Sequence, residues 1–564
     1  MKPNQVIIIF LKENIFILII ISVIFLYLGI KAFDENGWDG WGFGSAQTLM
    51  SSKYWARDGF AKNYFLFIPS TYSKLIPYLD EPEFRNRTID DFGGALKRNR
   101  IYYTHYPPLY LIPYALLSKT GIENRAIFRI FATIISLAAL FLFYLFIKAI
   151  STRTIAIVAS TYYGFSVTFL NYADSLANQP FTIIFTFLIL YLSVLALCNF
   201  TNTKIYLRYN SAIWLTYLIL ALSSYDTTFF VFAWLILYDV IVLKKFLWRK
   251  WLFWACAPLL GFVLQILQNA WYLGWIDTWR DIYTSYTGRA IGSLKGFILG
   301  LIAPFVSVTG IKTFYIFKKT FLALGGAVLI FAILKYSNYP NYGSKIKFQI
   351  NNNFFKIIFV LAIAAVIQPL FINVTGYWPY QGVLTAPFWS LLMGTSTVFI
   401  FNILKQKDWD IIKTRFFWTL TLVVLTIWTF QFYNTFTYAK DWPNNKPDQK
   451  VIEFSKEIKN FHPGEEKIAF RIIPKNPIWK SQFPTFNMEY YMGMPIIDFA
   501  NSRDLLVDFW WFRNRSEYPF HSFIISESKT DAEKIRRELS TKNIDDISAI
   551  TEIQGQYLFT VGSN

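Results

Sequence analysis

The chain has 564 residues, 54% of them hydrophobic and 20% aromatic, and its 54 Lys and Arg outnumber its 36 Asp and Glu to give a net charge of +18. Apolar runs of about 17 to 25 residues recur along it, each long enough for the roughly 30 Å hydrocarbon core of a bilayer, so it reads as a polytopic membrane protein with one appended soluble domain. Many basic residues sit in short links between apolar runs, where they orient spans, which sets nucleic acid aside as a partner. Cys198 and Cys256 both lie in apolar runs, which excludes a disulfide scaffold and a cysteine metal site.

In chain order, Lys2 and Lys12 precede a first apolar segment, Ile15 to Ala32, that lacks a small-residue cleavage site and reads as a retained span with a cytoplasmic N-terminus. That sends the long polar stretch 33–129 to the outer face, with a helix expected over 43–60 lying along the membrane. Further spans are expected at 127–147, 154–171, 180–198, 211–224, 228–243 and 251–271, followed by a second polar outer loop with Trp275, Asp277, Arg280, Asp281, Tyr286 and Arg289. The short apolar stretch 297–308 contains Pro304 and reads as re-entrant or interfacial. Spans at 320–336, 355–372, 383–404 and 416–433 then bring the total to about eleven and leave the C-terminus outside.

After Tyr438 the composition turns charged and polar. Strand-like runs at 467–473, 521–525 and 557–561 alternate with helical patterns at 446–460 and 529–541, an α/β arrangement. The expected organisation is therefore a transmembrane domain over 1–438, carrying the outer loop 33–129, and an extracytoplasmic α/β domain over 439–564, all in a plasma (cell) membrane protein. No sequence repeat is evident.

The candidate chemistry lies at the outer ends of the spans. Asp34, Glu35 and Asp39 follow the first span, Asp174 follows the third, and Asp226 follows the fifth. An isolated carboxylate there is more often an ordinary solvated or capping residue. Acids that converge on one membrane face are costly unless they line a watery cavity or bind something. Arg98, Arg100, His105 and Arg129 supply positive charge in the same stretch. His105, beside Pro107-Pro108, has an equal reading as a residue that pins a turn. Arg129 also has the plain reading of a snorkelling side chain. No compact ligand spacing demands a metal, although Asp39 and Asp174 together could hold a divalent ion.

The run His105-Tyr106-Pro107-Pro108-Leu109-Tyr110, followed by Ala126-Ile127-Phe128-Arg129, resembles the GT-C membrane glycosyltransferases, closest to the branch of protein O-mannosyltransferases and aminoarabinose transferases. The Asp34-Glu35 pair, the Asp174-Ser175-Leu176 motif and Tyr380 with Pro387 match further pieces of that pattern in order. Two features depart from it: Asp34-Glu35 hugs the span, leaving Asp39 as a rival for the catalytic acid, and Asn171-Tyr172 stands where a basic residue often precedes the second-loop acid. Trp510-Trp511 continues as Phe512-Arg513, unlike the oligosaccharyltransferase motif.

The resemblance implies an α-helical polytopic membrane fold and transfer of a sugar from a polyprenyl-phosphate donor to a glycan, lipid or protein acceptor. It implies no required cofactor. Asp39, Asp34, Glu35 and Asp174 are the acidic candidates, with Asp39 narrowly preferred as base. Arg129, His105, Arg98, Arg100 and Tyr380 are the candidates for binding the donor. A lipid-linked sugar transporter or flippase is the competing reading. Such proteins place broken helices and ionisable groups at the bilayer midplane, whereas the acids here fall at span ends. A non-catalytic scaffold built on the C-terminal domain is a third reading and leaves the acidic loop unexplained.

Overall fold

In a computed structural model of the chain, the described residues are 3–33, 42–61, 65–68, 95–97, 100–102, 107–199, 201–225, 227–290, 354–371, 382–404, 449–460, 467–472, isolated positions between 488 and 509, and most of 521–562. They fall in two compact units. One comprises Met1–Asp34, Asn124–Gln265 and Tyr286–Asn445; the other comprises Glu35–Glu123, Ile266–Ser285 and Lys446–Asn564. The expected segments 297–308, 320–336 and 416–433 lie outside the described residues.

The first unit is helical. Its elements are α1 (Pro3–Ala32), α4 (Arg125–Ile150), α5 (Arg153–Gly164), α6 (Val167–Tyr172), α7 (Gln179–Cys198), α8 (Thr203–Ser223), α9 (Thr228–Leu237), most of α10 (Trp248–Leu273), α12 (Phe354–Phe371) and α13 (Gly382–Leu404). Among the described residues, five helices are long and apolar enough to cross a membrane: α1 over Lys12–Ala32, α4, α7, α8 and α10. The chain is an integral membrane protein. Helices α4 and α7 pack on one another at the centre, with 56% of the apolar window of each buried, against 22% for α1 and α10. The outward stripe of α1 (Ile19, Leu26, Ile30) is exposed, as suits a helix that meets lipid.

Local chemistry sets the helix ends. Asn124 accepts a hydrogen bond from the backbone N–H of Ala126 at 2.8 Å and starts α4 two residues before the expected span. The expected third span is divided. α5 stops at Gly164, and Ser166 then caps a new helix by accepting from the Phe169 N–H at 3.1 Å. The expected sixth span also changes character, passing from α9 into a single π-turn, Tyr238–Val242. α13 crosses α5 at backbone distance: a Cβ on Gly394 would lie 2.7 Å from the Ala159 nitrogen, so only glycine permits this approach.

The second unit contains α2 (Gly42–Asp58), β1 (Ala95–Lys97), β2 (Arg100–Tyr102), α3 (Leu111–Lys119), the end of α10, most of α11 (Trp275–Ala290) and a C-terminal α/β sheet. α2 supplies the helix expected at 43–60, with most of its polar residues covered by protein. Ser45, Gln47, Thr48, Ser51 and Ser52 are all buried, and the Trp55 indole donates to the Leu66 carbonyl at 2.9 Å. β1 and β2 form an antiparallel hairpin with Ala95 opposite Tyr102. The stretch expected as a second polar loop is largely the helix α11.

The C-terminal sheet bears out the α/β expectation. Its order is β4 (Ile496–Phe499), β3 (Lys467–Ile472), β5 (His521–Ser526), β7 (Gln556–Val561) and β6 (Thr551–Ile553). β3 runs parallel to β4 and β5, while β7 runs antiparallel to β5 and β6. The two-residue period of a strand sends Ile468, Phe470 and Ile472 to one face with Ile535 and Leu539 of α15 (Lys529–Ser540). Ala469 goes to the other face with Val451, Phe454 and Ile458 of α14 (Gln449–Asn460). Coverage of both faces explains the unbroken apolar stretches Ile468-Ala469-Phe470 in β3 and Phe523-Ile524-Ile525 in β5.

Candidate functional site

The last turn of α1, the first turns of α4 and the segment after α6 converge at one end of the helical unit. α6 ends at Tyr172, and Asp174 follows it with no exposed surface. Four residues into α4, Arg129 donates from Nε to Asp174 Oδ2 at 3.0 Å, and its Nη2 makes a second contact to the same oxygen. Its Nη1 donates to the Ala32 carbonyl at 3.4 Å. Lys31 completes the cluster, with Nζ 2.9 Å from Asp174 Oδ1 and 3.0 Å from the Leu170 carbonyl oxygen.

The surroundings hold this arrangement in place. Ser136 donates to the Ala173 carbonyl at 2.7 Å, tying the loop back to α4. Ser175 donates to Gln179 Oε1 at 3.2 Å, and Asn178 donates to the Ser224 hydroxyl at 2.9 Å, anchoring the start of α7. Thr186 and Thr227 join α7 to the turn before α9 at 2.9 Å.

Burial raises the cost of a carboxylate charge, yet Lys31 and Arg129 outweigh it and hold the Asp174 carboxyl below the usual range. Asp174 is therefore an ionised anchor for two cations, and the three groups together carry one surplus positive charge. Asp174 and Arg129 have fully buried side chains, whereas that of Lys31 is 14% exposed. Of the three, Lys31 is the cation with an accessible edge. The snorkelling alternative for Arg129 does not describe this side chain.

Of the sequence candidates, the structure brings Arg129 and Asp174 together. Asp34, Glu35, Asp39, Arg98, His105, Tyr380 and Asp226 lie outside the described residues. Arg100 is placed on β2, opposite Lys97. Lys31 was not singled out in the sequence. Its signal was there, a lysine in the last turn of the first span three residues before Asp34, but it looks like any boundary lysine. Among the described residues, no three His, Cys, Asp or Glu side chains stand close enough to hold a metal. Both Asp174 oxygens point at cations.

No family model matches this sequence, and no curated protein matches it. Similarity appears in three dimensions. ArnT from Cupriavidus metallidurans, in a structure bound to undecaprenyl phosphate, is 9% identical, with a TM-score of 0.53 over 97% of this chain and 98% of that one. Its apo structure gives the same TM-score and identity over 96% and 97%. The archaeal oligosaccharyltransferase AglB from Archaeoglobus fulgidus, in complex with an inhibitory peptide and a dolichol-phosphate, is 12% identical with a TM-score of 0.51, over 92% of this chain and 70% of that one. Identities this low establish shared architecture. The chain thus has the fold of the GT-C membrane glycosyltransferases, the group its loop motifs resemble.

Proposed function

We propose that this protein transfers a sugar from a polyprenyl-phosphate carrier to an acceptor at the outer face of the cell membrane, with inversion at the sugar. The observation that carries the reading is the Lys31–Arg129–Asp174 cluster, two cations gathered on one buried carboxylate at one end of the spans. The fold supports it, because the ArnT and AglB structures of similar architecture hold lipid phosphates. A polyprenyl-phosphate sugar keeps its tail in the bilayer and presents its phosphate at the boundary, where such a cluster has surplus positive charge.

In the proposed step, the acceptor hydroxyl oxygen attacks the anomeric carbon while the bond from that carbon to the phosphate oxygen breaks. The pair of electrons leaves on the polyprenyl phosphate. Lys31 meets that developing charge, and Arg129, fixed by Asp174, adds positive potential from behind. The hydroxyl proton goes to an outer-loop carboxylate, Asp39 in this reading, with Asp34 its rival. Arg98, Arg100, His105 and Tyr380 are assigned to donor binding on sequence grounds alone. The two cations supply charge that a divalent ion would otherwise bring.

The test is release of undecaprenyl phosphate from undecaprenyl-phosphate hexoses, with the full-length protein in vesicles and glycan, lipid and peptide acceptors offered in turn. The expected result is acceptor-dependent release that falls about 10²–10⁴-fold in Asp39→Asn or in Asp34→Asn. Movement of the lipid-linked sugar between leaflets without any release would replace the enzyme reading with a flippase.

A further inference from the structure

The helix α11 has its amphipathic character turned inside out. Trp275, Ile276, Trp279 and Tyr283 are 62%, 76%, 57% and 62% exposed, whereas Asp277 and Thr278 are buried. At 100° per residue, the four exposed side chains share an arc of about 100°, and the two buried polar ones fall outside it. A helix in water shows the opposite pattern.

Its position in the chain narrows the cause. α11 starts two residues after α10, one of the spans, and the link is Gly274 with φ of +96°, a left-handed turn that re-aims the chain at the end of the span. The last two turns of α10 present Leu267 and Trp271 outward at 49% and 83% exposure, so exposed apolar side chains occur on both sides of the turn. Three of the outward residues from Trp271 to Trp279 are tryptophan, and Tyr283 extends the row. Trp and Tyr concentrate where hydrocarbon meets headgroups. Arg280, exposed beside this row, suits lipid phosphate.

We infer that α11 is an interfacial helix that rests its Trp275–Ile276–Trp279–Tyr283 face on the phospholipid surface, at the boundary between headgroups and acyl chains. The occupant is the bilayer itself. In this position the helix fixes the depth at which the chain leaves the membrane after α10.

The experiment uses the full chain in phosphatidylcholine nanodiscs. In a Cys198→Ser, Cys256→Ser background, Trp275→Cys, Trp279→Cys and Tyr283→Cys each receive an environment-sensitive fluorophore, with Arg537→Cys on the exposed side of α15 as reference. Nitroxide lipids labelled near the headgroup are expected to quench the three α11 probes more than lipids labelled near the chain end, and to leave the Arg537 probe untouched. Quenching of the α11 probes by aqueous iodide would overturn the inference, because the face would then be in water. Protection from both quenchers would also overturn it and would mean that protein covers the face. Hydroxyl-radical footprinting of the unsubstituted chain guards against a misfolded variant: Trp275 and Trp279 should resist oxidation in nanodiscs, and their ready oxidation would contradict the lipid contact.

Discussion

The two ends of α4 carry ion pairs of different kinds. Arg129 and Lys148 are separated by 19 residues, or roughly 28 Å of helix at 1.5 Å per residue. At the first end, Arg129 and Asp174 have no exposed surface and share their site with Lys31. At the second, Lys148 lies 3.1 Å from Glu13, but the side chains are 30% and 57% exposed. Water does most of the solvation there, so that pair adds at most ~1 kcal/mol. Desolvation is paid in full at the Arg129 end, so each charge depends on its partners. A protein gains little stability from placing three charges in such a site, which argues that the Arg129 end is kept for what it does.

The largest expected effect follows directly. Arg129→Ala leaves Asp174 buried with one cation instead of two, and removal of a partner from a buried pair costs ~3–5 kcal/mol. The melting temperature in detergent should fall clearly. Arg129→Lys should restore part of it, because an ammonium cannot supply the guanidinium's Nε and Nη donors together. An unchanged melting temperature in Arg129→Ala would erase the distinction between the two ends.

A smaller effect concerns acid. The Asp174 carboxyl is held below its ordinary value by Lys31 and Arg129 against the cost of burial. Its contribution to stability is therefore complete above the unfolded carboxylate value of about 3.9 and is lost as pH falls through the depressed folded value. Thermal melts of the wild type and Asp174→Asn should differ by a constant gap from neutral pH down to about 5, and the gap should shrink only in stronger acid. A gap that closes near neutrality would mean that the cations do not hold this carboxylate ionised. The smallest effect is at the far end of α4. Lys148→Gln and Glu13→Gln should each change stability by less than about 1 kcal/mol, and less still at high salt.

Much of this contrast was visible in the sequence. Arg129 and Asp174 stood out because each falls in a motif of the family pattern and because acids recur at the outer ends of the spans. The helices over 179–198 and 248–273 were legible from apolar run length, and the C-terminal sheet from alternation and composition. Lys31 escaped notice because its importance depends on Asp174, 143 residues away. The division of the third expected span escaped because Ser166 within an apolar run looks neutral until its side chain caps a helix. α11 was expected as a polar loop because Asp277, Arg280, Asp281 and Arg289 interrupt its apolar residues, and the burial of the polar residues of α2 was not legible at all. Periodicity shows that a helix has two faces but does not say which of them meets lipid, water or protein.

The central claim is that the Arg129 end of α4, with Lys31 at its accessible edge, binds the phosphate of a polyprenyl carrier. The direct measurement is the affinity of the full chain in nanodiscs for undecaprenyl phosphate, compared among the wild type, Lys31→Gln and Lys148→Gln. A hydrogen bond to a charged group contributes about 1.5–3 kcal/mol, so Lys31→Gln should bind at least ~10-fold more weakly while its melting temperature shows that the fold persists. Lys148→Gln should bind as the wild type does. Equal affinity in the wild type and Lys31→Gln, or an equal loss in both variants, would contradict the account.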